Sequence, residues 1–217
     1  MTNPNLTHIA FLLDRSGSMQ SIKDDTEGGF NAFIEEQRRE AGECRVTLAQ
    51  FDNEYEEVYR DLPLAEVPPL HLAPRGSTAL LDSMGRLITT TGERLAALSD
   101  EEGPGIVIIG IMTDGHENAS NEWTRPAIKS LVEQQTKAYN WQFLYLGADQ
   151  DAIEVGSSLG VAASNSMTYS RGKVHAMMSA TSRNIGRTRS AMAAGATPEQ
   201  AAKLIAFDDE QRAASRE

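Results

Sequence analysis

The stretch GIVIIGIMTDG, residues 105–115, is apolar from Ile106 to Met112 apart from Gly110, then turns polar at Thr113-Asp114-Gly115. A strand with one wet face alternates apolar and polar residues. A strand covered on both faces is a continuous apolar run. This stretch therefore predicts a central strand of a parallel sheet, with helices on both sides and an aspartate at its carboxyl end. HIAFLL (8–13) is a second buried run, and it too ends in an aspartate, Asp14. WQFLYLGAD (141–149) is a third. RVTLAQFD (45–52) alternates and is β-branched, as strands are. EVYRDLPLAEV (57–67) fits an edge strand, because Pro63 lacks the donor a central position needs. NSMTYS (165–170) is a short last strand.

Helical periodicity fills the gaps. Residues 21–40 form a helix with Phe30, Phe33 and Ile34 on its buried side. Residues 78–98 have apolar positions at 80, 81, 84, 87, 88, 95 and 98. Residues 125–138 have Thr124 as N-cap and Pro126 in the first turn. DAIEVGSSLG (151–160) is a short helix. Val174, Met177, Met178, Thr181, Ile185, Thr188 and Met192 recur at steps of three and four, which makes 173–193 an amphipathic helix with core-filling methionines. Thr197-Pro198-Glu199-Gln200 has capping-box form and predicts a helix over 198–206. The end, FDDEQRAASRE, is expected to fray. The alternation implies an α/β fold: a doubly wound, Rossmann-like three-layer sandwich with a mostly parallel sheet of about six strands. Residues 1–193 form the domain and 194–217 a C-terminal helical extension.

The 217 residues are 40% hydrophobic and 24% charged, the balance of one globular domain. A net charge of −11 argues against nucleic acid or an anionic membrane as partner. The charge is uneven. Residues 1–160 carry 12 Lys and Arg against 26 Asp and Glu, whereas 161–217 carry 8 against 5. The basic residues Arg171, Lys173, Arg183, Arg187 and Arg189 have only Tyr169 as an aromatic neighbour. One reading is a basic arm for an acidic partner or nucleic acid; the favoured one, given so few aromatics, is a segment that packs on its own acidic body or forms a solvated helix face. The lone cysteine, Cys44, excludes an intrachain disulfide and a cysteine zinc cage; it fits a structural role in a cytoplasmic protein, and a cysteine-poor secreted protein would look the same. The start, MTNPNLTHIAFLLD, lacks a basic region ahead of its apolar run and fits a first strand better than a signal peptide. No apolar stretch reaches the roughly 18 residues a membrane helix needs.

Ligands of open α/β sheets bind at the carboxyl ends of strands. The stretches to examine are therefore 14–18, 75–78, 114–118 and 148–151. Asp14, Ser16 and Ser18 stand at alternate positions after the first strand, Thr78 closes the loop Gly76-Ser77-Thr78, and Asp114 follows the central strand. Two carboxylates and three hydroxyls make an all-oxygen set, suited to magnesium, manganese or calcium and not to zinc or copper.

These residues resemble the von Willebrand factor A domain family, over about residues 7–193. The matching pieces are Asp14-x-Ser16-x-Ser18, Thr78 in its loop, and Asp114 in Thr-Asp-Gly. The local wording is similar to that of bacterial or phage intracellular members. The resemblance implies one antiparallel edge strand in the sheet. It also implies that the five residues form a metal-ion-dependent adhesion site, with Ser16 and Ser18 as direct ligands, Thr78 direct or through water, and the two aspartates direct or through water. Such a site takes Mg2+ (with Mn2+ or Ca2+ as alternatives) and binds an acidic group of a partner protein.

Arg15 and Arg75 flank this set and, with His116, are candidates for contact with the partner's carboxylate. Asp52, Asp149 and Asp151 fit surface or capping roles. An Mg-dependent phosphoryl-transfer or hydrolytic enzyme is the alternative function, and a metal-independent scaffold the second. The enzyme lacks its motifs: position 16 is Ser where an Asp-x-Asp phosphotransferase has its second Asp, and there is no phosphate-binding GxxxxGK[ST] loop and no GxSxG elbow. The expectation is a non-enzymatic interaction module.

Overall fold

A computed structural model describes residues 2–216. The elements run β1 (Asn3–Asp14), α1 (Lys23–Gln37), β2 (Glu43–Phe51), β3 (Tyr55–Pro63), α2 (Leu80–Ala96), β4 (Pro104–Thr113), α3 (Arg125–Tyr139), β5 (Gln142–Ala148), α4 (Ala152–Ser158), β6 (Ser166–Tyr169), α5 (Val174–Ala193), α6 (Pro198–Ala202) and α7 (Asp209–Ala214). The sheet order is β3-β2-β1-β4-β5-β6. All pairings are parallel except β2 with β3, which places one antiparallel strand at the edge.

The continuous apolar runs fill both faces of the sheet. From β1, Ile9, Phe11 and Leu13 point into one core with α1 and α5, while Ala10 and Leu12 point into the other with α2, α3 and α4. β4 splits in the same way, with Ile106, Ile108 and Met112 on one side and Val107, Ile109 and Ile111 on the other. Phe11 packs edge-on against Phe30 and Phe33 of α1, the arrangement the ring quadrupoles favour. Gly110 leaves room for that ring: a Cβ there would lie 2.6 Å from Phe11.

The helix boundaries follow their caps. Thr124 accepts from the Ala127 N–H at the start of α3, and Asp151 accepts from Ile153 and Glu154 at the start of α4. All seven periodic residues of α5 are buried.

The C-terminal segment departs from expectation. The capping box at Thr197 is present, but α6 ends at Ala202. The chain then turns so that Ile205 and Phe207 enter the α1–α5 core, where they join Ala201. A helix continuing to 206 could not deliver both side chains there. The residues that follow form a further helix where fraying was expected: Asp208 and Gln211 form a second capping box that starts α7. Asn184 of α5 donates to the Ile205 and Ala206 carbonyls and exchanges hydrogen bonds with Gln211. Arg212 donates to the carbonyls of Ala163, Ser164 and Ser166. Residues 201–215 are thus packed on α5 and β6.

Candidate metal centre

The sheet order reverses between β1 and β4, so the helices that follow these two strands leave on opposite faces and open a crevice at their carboxyl ends. Asp14 is the last residue of β1, and Asp114 follows the last residue of β4. Topology alone brings together two aspartates 100 positions apart.

Two loops are stitched over this crevice. Gly17 N–H donates to the Gly76 carbonyl, Arg75 N–H to the Arg15 carbonyl, and Ala79 N–H to the Asp52 carbonyl. Gly76 adopts a φ of +66°, and a Cβ there would collide with Asn53 Oδ1. Only glycine allows that close turn.

The oxygens converge. Asp14 is fully buried; its Oδ1 accepts from the Ser16 N–H at 2.6 Å and its Oδ2 from the Thr113 hydroxyl at 2.6 Å. Ser16 and Ser18 hydroxyls lie 3.1 Å apart, and Ser18 donates to Asp114 Oδ1 at 2.6 Å. Thr78 is buried at the entry to α2, yet the caps of that helix come from elsewhere. Glu117 Oε2 accepts from Leu81 N–H, Ser120 Oγ from Asp82 N–H, and Asn118 Oδ1 from Thr78 N–H. The Thr78 hydroxyl is left to face the crevice.

Gly115 shows how closely the set is gathered. A Cβ on it would stand 2.9 Å from Thr78 Oγ1, 3.5 Å from Asp14 Oδ2 and 3.6 Å from Ser18 Oγ. Oxygens from two separate loops therefore meet beside Gly115, around one small space that glycine keeps open. Asp114 Oδ2 completes the picture: the side chain is wholly buried, and this oxygen has no hydrogen-bond partner, only the Arg171 guanidinium as an ionic neighbour at 3.7 Å. A buried carboxylate oxygen without a donor is costly unless a cation meets it. On both counts the residues fit a hard divalent cation.

Among the described residues, no group of three or more His, Cys, Asp or Glu is placed to hold a metal. The candidate set is consistent with that, because three of its five donors are hydroxyls.

Burial is the main influence on Asp14 and pushes its pKa up to about 6. The hydrogen bonds from Thr113 and Ser16 pull against burial, and the charge of Asp114 adds to it. Glu117 lies in the opposite direction. Burial works to raise it, but hydrogen bonds from Ser120, Leu81 and Ala119 outweigh that effect and leave its pKa lowered. Thr113, Glu117 and Asn118 were not singled out from the sequence. The only signal for Thr113 was its place before Asp114 at a strand end.

The flanking residues are placed as follows. Asp52 caps locally, accepting the Glu54 N–H at 2.7 Å, but it is not a surface residue: its side chain is fully buried and receives Arg15 Nε at 3.0 Å and Arg75 Nε at 2.8 Å. Arg15 also pairs with Glu56, and Arg75 with Glu54. Burial would raise the Asp52 carboxyl, but Arg75, the Glu54 N–H and Arg15 together hold it low. This cluster ties the 14–18 loop to the 75–78 loop. Arg15 is buried within it, Arg75 is half exposed, and His116 is exposed. Asp151 caps α4, as expected. Asp149, at a φ of +49°, pairs with Arg171.

No family model matches this sequence, and no curated protein matches it. Solved structures do resemble it. The von Willebrand factor domain of the type V pili tip protein Mfa5 from Porphyromonas gingivalis aligns with a TM-score of 0.58 at 12% identity, over 85% of this chain and 96% of that one. Proximal thread matrix protein 1 from the mussel byssus aligns at 0.55 with 16% identity, over 82% of this chain and 46% of that one. The same mussel protein has been solved with a zinc-occupied MIDAS motif, the metal-ion-dependent adhesion site; that form aligns at 0.53 with 14% identity and the same coverage. The ArnB paralog VWA2 from Sulfolobus acidocaldarius gives 0.54 at 12% identity, over 85% of this chain and 46% of that one. The chain thus spans under half the length of the mussel and archaeal proteins. These likenesses show a von Willebrand factor A type fold.

Proposed function

We propose that Asp14, Ser16, Ser18, Thr78 and Asp114 hold a divalent cation, Mg2+ first and Mn2+ or Ca2+ as alternatives. In this reading the chain is a non-enzymatic module that binds a carboxylate presented by a partner protein. The observation that carries it is the meeting of Thr78, Asp14 and Ser18 oxygens around one space, beside a buried oxygen of Asp114 that no group hydrogen-bonds.

A bound cation supplies a positive centre for an incoming carboxylate. The residues make that centre selective. Ser16, Ser18 and Thr78 offer neutral hydroxyls, which leave a divalent charge incompletely offset. Both oxygens of Asp14 are already engaged by Ser16 and Thr113, so its charge is fixed in place and cannot swing outward. Ser18 sits at the exposed rim, so a partner's side chain can approach from that side. Mfa5 is a pilus tip protein and VWA2 an ArnB paralog.

No helix among the described residues is long and apolar enough to cross a membrane. A cytoplasmic setting is part of the reading. It rests on the single cysteine, which is buried and whose thiol burial pushes up to about 11, so it is inert.

The test is calorimetric titration of Mg2+ and Mn2+ into the chelator-treated protein, beside Thr78→Val and Asp14→Ala. Thr78→Val keeps the side-chain shape and serves if Asp14→Ala does not fold. Binding by the wild type that weakens tenfold or more in Thr78→Val supports the site. Absence of binding at millimolar metal, or equal binding by the variants, overturns it.

A further inference from the structure

The basic segment that begins at Arg171 is not absorbed by the proposed function, and its first residue reaches the site. Arg171 lies in the loop between β6 and α5. Its Nε is 3.0 Å from Asp149 Oδ2, and its Nη2 is 3.7 Å from Asp114 Oδ2. That Asp114 oxygen is the one with no hydrogen-bond partner. At 3.7 Å the guanidinium is an ionic neighbour and not a donor. It is the only cationic group among the described residues within ion-pair distance of Asp114.

The placement of Arg171 is built, not incidental. Asp149 N–H donates to the Tyr169 carbonyl, which fixes the carboxylate that holds Nε. Ser170 N–H donates to the Ser215 carbonyl at 2.9 Å, and the Ser170 hydroxyl to the Arg216 carbonyl at 2.8 Å. The C-terminal segment therefore clamps the residue just before Arg171. The guanidinium itself is half exposed, so it can leave Asp114 without disturbing the core.

We propose that Arg171 is the resident counter-cation of Asp114, and that a divalent cation must compete with it for that carboxylate. The inference rests on the proposed metal site. Arg171 is then a positioning residue that sets cation affinity. A charge at this distance, partly screened by water, weakens binding of a second cation by roughly three- to tenfold. Once released, the same guanidinium stands at the rim with its planar edge available to an incoming carboxylate.

The test compares wild type, Arg171→Gln and Arg171→Lys by Mn2+ calorimetry, and by melting temperature with and without saturating Mn2+. The position is half exposed, so neither variant should impair folding. The expected result is about three- to tenfold tighter Mn2+ binding by Arg171→Gln, with a larger Mn2+-induced rise in melting temperature, while Arg171→Lys stays near wild type. A structural role alone would weaken binding, not tighten it. Equal or weaker binding by Arg171→Gln than by wild type overturns the role of Arg171 and leaves the metal site standing. Absence of Mn2+ binding in all three proteins overturns both.

Discussion

Thr113 shows how one hydroxyl can hold a buried charge. Asp14 is sealed from water, and burial raises its pKa toward 6. The Thr113 hydroxyl donates to one of its oxygens at 2.6 Å and also accepts from the Gly115 N–H, so it links the ends of β1 and β4. Thr113→Val keeps the shape and removes the donor. A buried acceptor that loses its partner costs about 1–3 kcal/mol. The expected outcome is a loss of that size in the unfolding free energy of the metal-free protein at neutral pH, read as a lower urea midpoint at unchanged m. An unchanged midpoint would show that the bond is idle. Asp52 makes the companion case. Its sequence position suggested a surface or capping role, yet it is the buried centre of the Arg15–Asp52–Arg75 cluster. Nothing local in QFDNEY announces this, because the two arginines come from different loops.

Between β1, β3 and α2, partly buried Asp61 and Arg94 close over a buried histidine. His8 is almost wholly buried, with Arg94 Nη2 3.0 Å from its Nε2 and Asp61 Oδ1 3.2 Å from its Nδ1. Arginine can only donate, so Nε2 accepts and the ring proton sits on Nδ1 toward Asp61. Burial, the largest influence, lowers the His8 pKa below 6.5; Asp61 opposes it and Arg94 reinforces it. The unfolded chain takes up a proton near 6.5, whereas folded His8 resists until lower pH. Its stabilising contribution is therefore complete above 6.5 and is lost as pH falls from there through the folded value. Asp14, with its raised pKa, acts in the opposite sense over part of this range, so the difference between two proteins is the clean measurement. His8→Gln, followed by urea unfolding between about pH 7 and pH 5, should show a smaller fall in stability on acidification than wild type. Parallel profiles would contradict the assignment. Legibility at this scale was good for strands and long helices, whose periods are carried by their own residues. It was poor for α6 and α7, whose lengths are set by where Ile205 and Phe207 must land.

The whole molecule is a three-layer sandwich in which the C-terminal segment is part of the core and not an appendage. Ala201, Ile205 and Phe207 are buried against α5, and Arg212 binds three carbonyls around the start of β6. Deleting 197–217 uncovers these apolar contacts and releases the Asn184–Gln211 exchange. Two large buried side chains alone are worth about 1.5–3 kcal/mol each, so a fall of several degrees or more in melting temperature is expected. A truncated protein that melts with the full chain would show that the segment is dispensable. The sequence by itself determined the sheet and its layers, because continuous apolar runs need cover on both faces. It also marked the candidate metal set, because Asp14, Ser16, Ser18 and Asp114 follow the runs HIAFLL and GIVIIGIMT and Thr78 stands in the loop before α2. Only the tertiary structure decided which charges meet. Arg15 and Arg75 are held by Asp52, Arg171 reaches Asp114, and the residues just after the last helix clamp Ser170. These pairings join residues far apart in the chain through the strand order, and no local pattern of residue types records that order.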